Sequence, residues 1–122
     1  MNDRERDLRF THIRICGCVA CHMAGVPGVV PPQIHHLNFG DKHGGKRLGD
    51  AATVGLCPWH HMGQPFEGMW PGKCRVMCGP SWAREPNAFR ETFGTGDELL
   101  EFQNALIEAY IASASIAAQE EA

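Results

Sequence analysis

The chain has 122 residues, 43% of them hydrophobic, six cysteines, seven histidines and a formal net charge of −3. That length suits one domain with a small core, near the size at which a metal staple usefully supplements hydrophobic burial, and the mixed composition excludes a disordered chain. No run approaches the roughly 18 apolar residues needed to span a bilayer, and the N-terminus leads into no signal-peptide core, so a cytoplasmic, membrane-free protein is expected. In that compartment the cysteines read as metal ligands or free thiols rather than a disulfide framework, and the negative charge argues against strong unaided duplex binding.

Residues 1 to about 17 interleave Arg4, Arg6, Arg9 and Arg14 with Leu8, Phe10, Ile13 and Ile15. This pattern predicts a short helix or strand entering the domain with its basic side chains outward. Residues 18 to about 80 are rich in Gly, Pro, Cys and His, with short β-like runs at Val29-Val30 and Thr53-Val54, so loops and hairpins are expected to dominate there. Towards the C-terminus, Asn87 is placed to cap a segment running through Phe89 and Phe93, with Gly94 as its stop. Thr95 and Glu98 then form a capping box. Leu99, Phe102, Gln103, Leu106, Tyr110 and Ile111 follow at spacings of three and four, which predicts a helix over 95–118 with one apolar stripe.

The chemistry-bearing residues lie in the middle section. Cys18-Val-Ala-Cys21 and Cys57-Pro-Trp-His60 are two pairs at the spacing by which two tight turns grip one tetrahedral zinc. Cys16 and His22 flank the first pair and are alternative members. Cys74 and Cys78 read as core thiols, with a second zinc shared with His12, His22 or His43 as the other reading. Three further imidazoles, His35, His36 and His61, surround the second pair in sequence. Adjacent residues of a regular strand point to opposite faces, but Pro31-Pro32 disfavours a regular ladder there, so His35 and His36 are expected to converge at a strand end or bulge. Such a set suits phosphodiester hydrolysis, in which two side chains hold a divalent ion and a separate neutral imidazole takes a proton from water.

The order C-x2-C, His-His, L-C-x2-H-H resembles the HNH (ββα-metal, His-Me finger) nucleases. Carried over, the resemblance implies that His36 is the general base, that His35 and His61 bind the catalytic ion, and that Cys18, Cys21, Cys57 and His60 hold a structural zinc. Gly44-Gly45-Lys46-Arg47-Leu48-Gly49-Asp50, Thr53-Val54-Gly55-Leu56-Cys57-Pro58-Trp59-His60-His61, Gly79-Pro80-Ser81-Trp82-Ala83 and Phe89-Arg90-Glu91-Thr92-Phe93-Gly94 are more specifically similar to the phage Ref family, over residues 12 to about 107. Its members are recombination-enhancement proteins described as RecA-dependent HNH nucleases, which implies a phage or prophage origin.

Two departures stand out. The middle Asn of the HNH name is missing, with Ala52 and Thr53 in its neighbourhood and Asp50 nearby, and Gly63, Pro65 and Gly68 leave room for only a short helix after His61.

The sequence therefore leads to an α+β fold, a small zinc-stapled ββα-metal unit with irregular loops and a long C-terminal helix, forming a single domain over residues 1–122. The expected activity is metal-dependent DNA endonuclease cleavage on DNA presented by a RecA filament, with structural Zn²⁺ and catalytic Mg²⁺ or Mn²⁺. Lys42, Lys46 and Arg47 are the first candidates for DNA contact and Arg4, Arg6 and Arg9 the second. A non-catalytic zinc-binding nucleic-acid or protein adaptor is the alternative.

Overall fold

The computed structural model describes residues 1–38 and 48–121. Its elements, in chain order, are α1 (Asp3–Cys16), α2 (Val19–Ala24), β1 (Gln33–His36), β2 (Thr53–Leu56), α3 (Pro58–Met62), α4 (Pro71–Cys78), α5 (Pro86–Phe93) and α6 (Gly96–Glu121). The architecture is α+β, with a two-stranded antiparallel sheet and a long C-terminal helix. Among the described residues no helix is long and apolar enough to cross a membrane.

Local chemistry explains most of the boundaries. Asn2 opens α1 by accepting the Glu5 amide at 2.8 Å. Pro58, Pro71 and Pro86 begin α3, α4 and α5, where a missing amide hydrogen costs nothing. Gly63 ends α3 in the left-handed conformation at φ 71°, which keeps that helix to five residues, as the glycines and proline after His61 imply. Thr95 and Glu98 make the expected capping box, with the Glu98 amide donating to Thr95 Oγ1 at 3.3 Å and the Thr95 amide to Glu98 Oε1 at 3.2 Å.

Three expectations are corrected. The middle section contains α4, an eight-residue helix that buries only Cys74 and Cys78, too narrow a face to leave a helical period in the sequence. Val29-Val30 is not a strand; the Val30 carbonyl instead accepts the Cys18 amide at 2.9 Å and ties the loop to the Cys18–Cys21 turn. Asn87 lies inside α5 rather than capping it, because Pro86 already occupies the first turn behind Glu85.

The sheet is regular from its first residue: Gln33 pairs with Leu56, Ile34 with Gly55, His35 with Val54 and His36 with Thr53. The outer edge of β2 is closed by side chains from two helices. Gln103 of α6 accepts the Gly55 amide at 2.8 Å, and Arg9 of α1 donates through Nη2 to the Thr53 carbonyl at 2.6 Å. Such contacts satisfy backbone groups that an unpaired strand would otherwise offer to another chain. Arg9 also bonds Thr53 Oγ1 and Asn104 Oδ1, each at 2.9 Å, so this residue turns inward where the sequence pattern pointed it outward. Gly55 permits the close approach, since a Cβ there would stand 2.8 Å from Ile13 Cγ2 and 2.9 Å from Pro32 Cβ.

Val54, Leu56, Trp59, Phe89, Phe93 and Leu99 fill the core around the buried cysteines. The stripe of α6 buries Leu99, Gln103 and Ile107; beyond them Tyr110 keeps a ring contact with His12 while largely exposed, Ile111 is exposed, and the helix extends beyond the predicted 118.

Candidate metal centre and histidine cluster

The two knuckles are built the same way. Cys18 is the N-cap of α2 and its Sγ accepts the Cys21 amide at 3.4 Å; Cys57 is the N-cap of α3 and its Sγ accepts the His60 amide at 3.5 Å. A cap residue and the residue three positions later lie on the same side of a helix start, so the spacing of two intervening residues sends both ligands of each pair the same way. The result is a buried group of Cys18, Cys21, Cys57 and His60 whose ligand atoms all lie within 4.8 Å of one another.

This arrangement fits tetrahedral zinc. Zn–S near 2.3 Å and Zn–N near 2.0–2.1 Å require about 3.8 Å between sulfurs and about 3.5 Å from sulfur to nitrogen. Cys21 and Cys57 sulfurs are 3.8 Å apart, and His60 Nδ1 stands 3.3, 3.5 and 3.3 Å from the sulfurs of Cys18, Cys21 and Cys57. His60 Nε2 donates to the Cys78 carbonyl at 2.8 Å, which leaves Nδ1 deprotonated toward the sulfurs. Burial pushes the Cys18 thiol up, but hydrogen bonds from Cys21 and Cys57 outweigh it and bring it down to about 3, so Cys18 favours thiolate, while the bonds to Cys18 and Cys57, together with burial, push the Cys21 thiol up.

The other candidate zinc ligands stand apart. His22 Nε2 is engaged with the Cys16 carbonyl at 2.6 Å, and His12 packs against Tyr110 with ring centroids 5.7 Å apart. Cys74 and Cys78 are buried thiols of α4. His43 lies outside the described residues. Among the described residues, no second group of three or more such ligands is assembled.

His35 and His61 come together, with ring centroids 5.0 Å apart and planes at 74°. Trp82 also packs edge-on against the buried His35 ring, at 4.7 Å between centroids, and its amide donates to the His60 carbonyl at 2.9 Å. Gln33 Oε1 accepts from His61 Nδ1 at 2.9 Å. Partial burial pushes the His61 imidazole down, opposed by Cys57, and so favours its neutral form.

His36 does not join them. Regular pairing puts it on the opposite face from His35, so the expected convergence does not occur; its Nε2 meets Asp50 Oδ1 at 3.0 Å and its ring stands edge-on to Phe10. Asp50 thus occupies the neighbourhood of the missing Asn with a carboxylate on the histidine.

Lys42, Lys46 and Arg47 lie outside the described residues. Of the N-terminal cations, Arg6 pairs with Asp3 and Asp7 at 3.3 and 3.0 Å, Arg9 is committed to β2 and α6, and Arg4 is exposed. The sequence assigns neither Gln33 nor Trp82 to the site. A period of two puts Gln33 on the face of His35, which is the only signal that marks it; Trp82 reaches the site from a distant turn and is marked only by its place in the Gly79–Ala83 motif of the family resemblance.

A family model described as "Recombination enhancement, RecA-dependent nuclease" matches residues 3–108. Neither a curated protein nor a solved structure matches the chain. Since the match covers most of the sequence, the chain belongs to the recombination-enhancement, RecA-dependent nuclease family.

Proposed function

We propose that this chain is a metal-dependent DNA endonuclease of the HNH, ββα-metal type, a single domain that cuts DNA presented in a RecA filament during phage recombination. The observation that carries the reading is the His35–His61 pair, with rings 5.0 Å apart on β1 and α3 and His61 next in the chain to His60 of the Cys3His group. Two antiparallel strands followed at once by a short helix give the ββα order, and the Cys3His group ties the start of α3 to α2.

In this reading His35 and His61 hold the catalytic ion, Mg²⁺ or Mn²⁺. When bound, that ion supplies positive charge for the developing phosphorane and the leaving 3′ oxygen. His36 is the proton acceptor, with Asp50 holding its ring and stabilising the imidazolium that forms. His36 is the last residue of β1, so a phosphodiester lying across the strand end would meet the metal pair from one side and His36 from the other. Lys42, Lys46 and Arg47 are the proposed phosphate contacts, by their position in the sequence beside this end.

The net charge of −3 supports dependence on a presenting partner, because few lysines and arginines give weak, salt-sensitive binding. A RecA filament replaces affinity with proximity. The site of action is the bacterial cytoplasm, and the origin phage or prophage. The testing experiment follows cleavage of supercoiled and single-stranded DNA with Mg²⁺ or Mn²⁺ across a salt titration, with and without RecA and ATP. Cutting that needs the divalent ion and is strongly enhanced by RecA is expected. A folded, zinc-loaded protein that cuts nothing under any of these conditions would instead be an adaptor.

A further inference from the structure

Two adjacent histidines of α3 are held in opposite ring states by two acceptors. His60 donates from Nε2 to the Cys78 carbonyl at 2.8 Å and turns Nδ1 to the sulfurs. His61 meets Gln33 Oε1 through Nδ1 at 2.9 Å. A carbonyl oxygen can only accept, so Nδ1 of His61 must carry the proton and Nε2 is left with the lone pair. Gln33 is well placed to impose this. It sits two residues before His35 on the same face of β1, and its pairing with Leu56 fixes its backbone one residue ahead of Cys57 and two ahead of α3. It is half-buried, which limits competition from water for the bond.

We infer that Gln33 is a positioning residue for the second metal site: it selects the Nδ1–H tautomer of His61 and so presents Nε2 beside His35 as a ligand. The inference rests on the reading of His35 and His61 as a metal pair. Outer partners of ligating histidines fix ring orientation and ligand basicity, and their loss typically costs about 10–100-fold in metal affinity.

The test uses the full chain with its zinc in place and Mn²⁺ alone as probe. Gln33→Met keeps the length and apolar stem without the acceptor; Gln33→Glu keeps an acceptor and adds charge. Imidazole ¹⁵N NMR, read with neither added metal nor DNA, reports the tautomer, and free Mn²⁺ measured by electron paramagnetic resonance reports affinity. In Gln33→Met, His61 is expected to shift toward the Nε2–H form and Mn²⁺ binding to weaken about 10–100-fold at unchanged zinc content. Gln33→Glu should retain Nδ1–H and bind Mn²⁺ at least as tightly as the parent.

A Gln33→Met protein that keeps the Nδ1–H form, or binds Mn²⁺ like the parent, overturns the inference alone. So does a Gln33→Glu protein with weakened Mn²⁺ binding, whether or not the Met variant folds. If Mn²⁺ binding by the parent survives both His35→Ala and His61→Ala, the metal-pair reading fails and takes the inference with it.

Discussion

His35 and His36 are neighbours in β1 and look in opposite directions: the His35 ring lies 5.0 Å from His61, while His36 Nε2 bonds Asp50 at 3.0 Å. The separation follows from the strand period and gives the two histidines different mutational consequences. His36→Ala is expected to lower cleavage about 10²–10⁴-fold, the range for a lost general base, with zinc content and Mn²⁺ binding unchanged. His35→Ala and His61→Ala should instead raise the Mn²⁺ concentration needed for activation and recover partly at high Mn²⁺. Cleavage rates across a Mn²⁺ titration check both. An active His36→Ala protein would remove the basis for its role.

The Cys3His group should hold one tightly bound zinc per chain. Its ligands sit at the N-caps and third positions of α2 and α3, so losing one thiolate unseats both helices from the core. Binding energy in structural zinc sites is folding energy, on the order of 10–16 kcal/mol in small domains, far above what the packing of this chain can replace. Cys18→Ala should therefore lose zinc and its cooperative thermal transition. Retention of both, by elemental analysis and calorimetry, would show that the ligand set is wrong.

Arg9 should behave as a structural residue and not as a DNA contact. Its guanidinium makes hydrogen bonds to Thr53 Oγ1, the Thr53 carbonyl and Asn104, and burial pushes its pKa down. Arg9→Met is expected to cost about 2 kcal/mol by denaturant unfolding, in line with hydrogen bonds from charged groups, while the salt dependence of DNA binding stays the same. A changed salt slope at full stability would reverse the assignment.

Gly55→Ala probes the contact between α1 and the sheet. With Ile13, Pro32 and the Gly17 carbonyl 2.8–3.1 Å from the added methyl, and two of these three fixed by ring or backbone, about 1–3 kcal/mol of destabilisation is expected. Urea midpoints at constant m-value measure it.

Deleting residues 112–122 should change stability by less than about 0.5 kcal/mol, the ordinary scale for exposed positions. Residues 108–120 are all exposed, and the family match ends at 108. A large loss of stability, read from the same urea midpoints, would mean that this end of α6 is covered in solution.

The sequence by itself determined the features whose physics is local. Paired residues three apart announced the Cys3His cluster because helix N-caps impose that geometry without help from the rest of the chain. The Thr95–Glu98 box and Gly63 marked one helix start and one helix stop for the same reason. Tertiary structure alone decided the rest. Which way His35 and His36 face depended on β1 entering a regular ladder despite Pro31-Pro32, a matter of pairing with β2 some twenty residues away. Arg9 turned inward because the edge of β2 offered it a carbonyl, and α4 formed on a face of two cysteines too narrow to register as a period. The proton positions on His60 and His61 were set by Cys78 and Gln33, partners 18 and 28 residues distant, which no local pattern encodes.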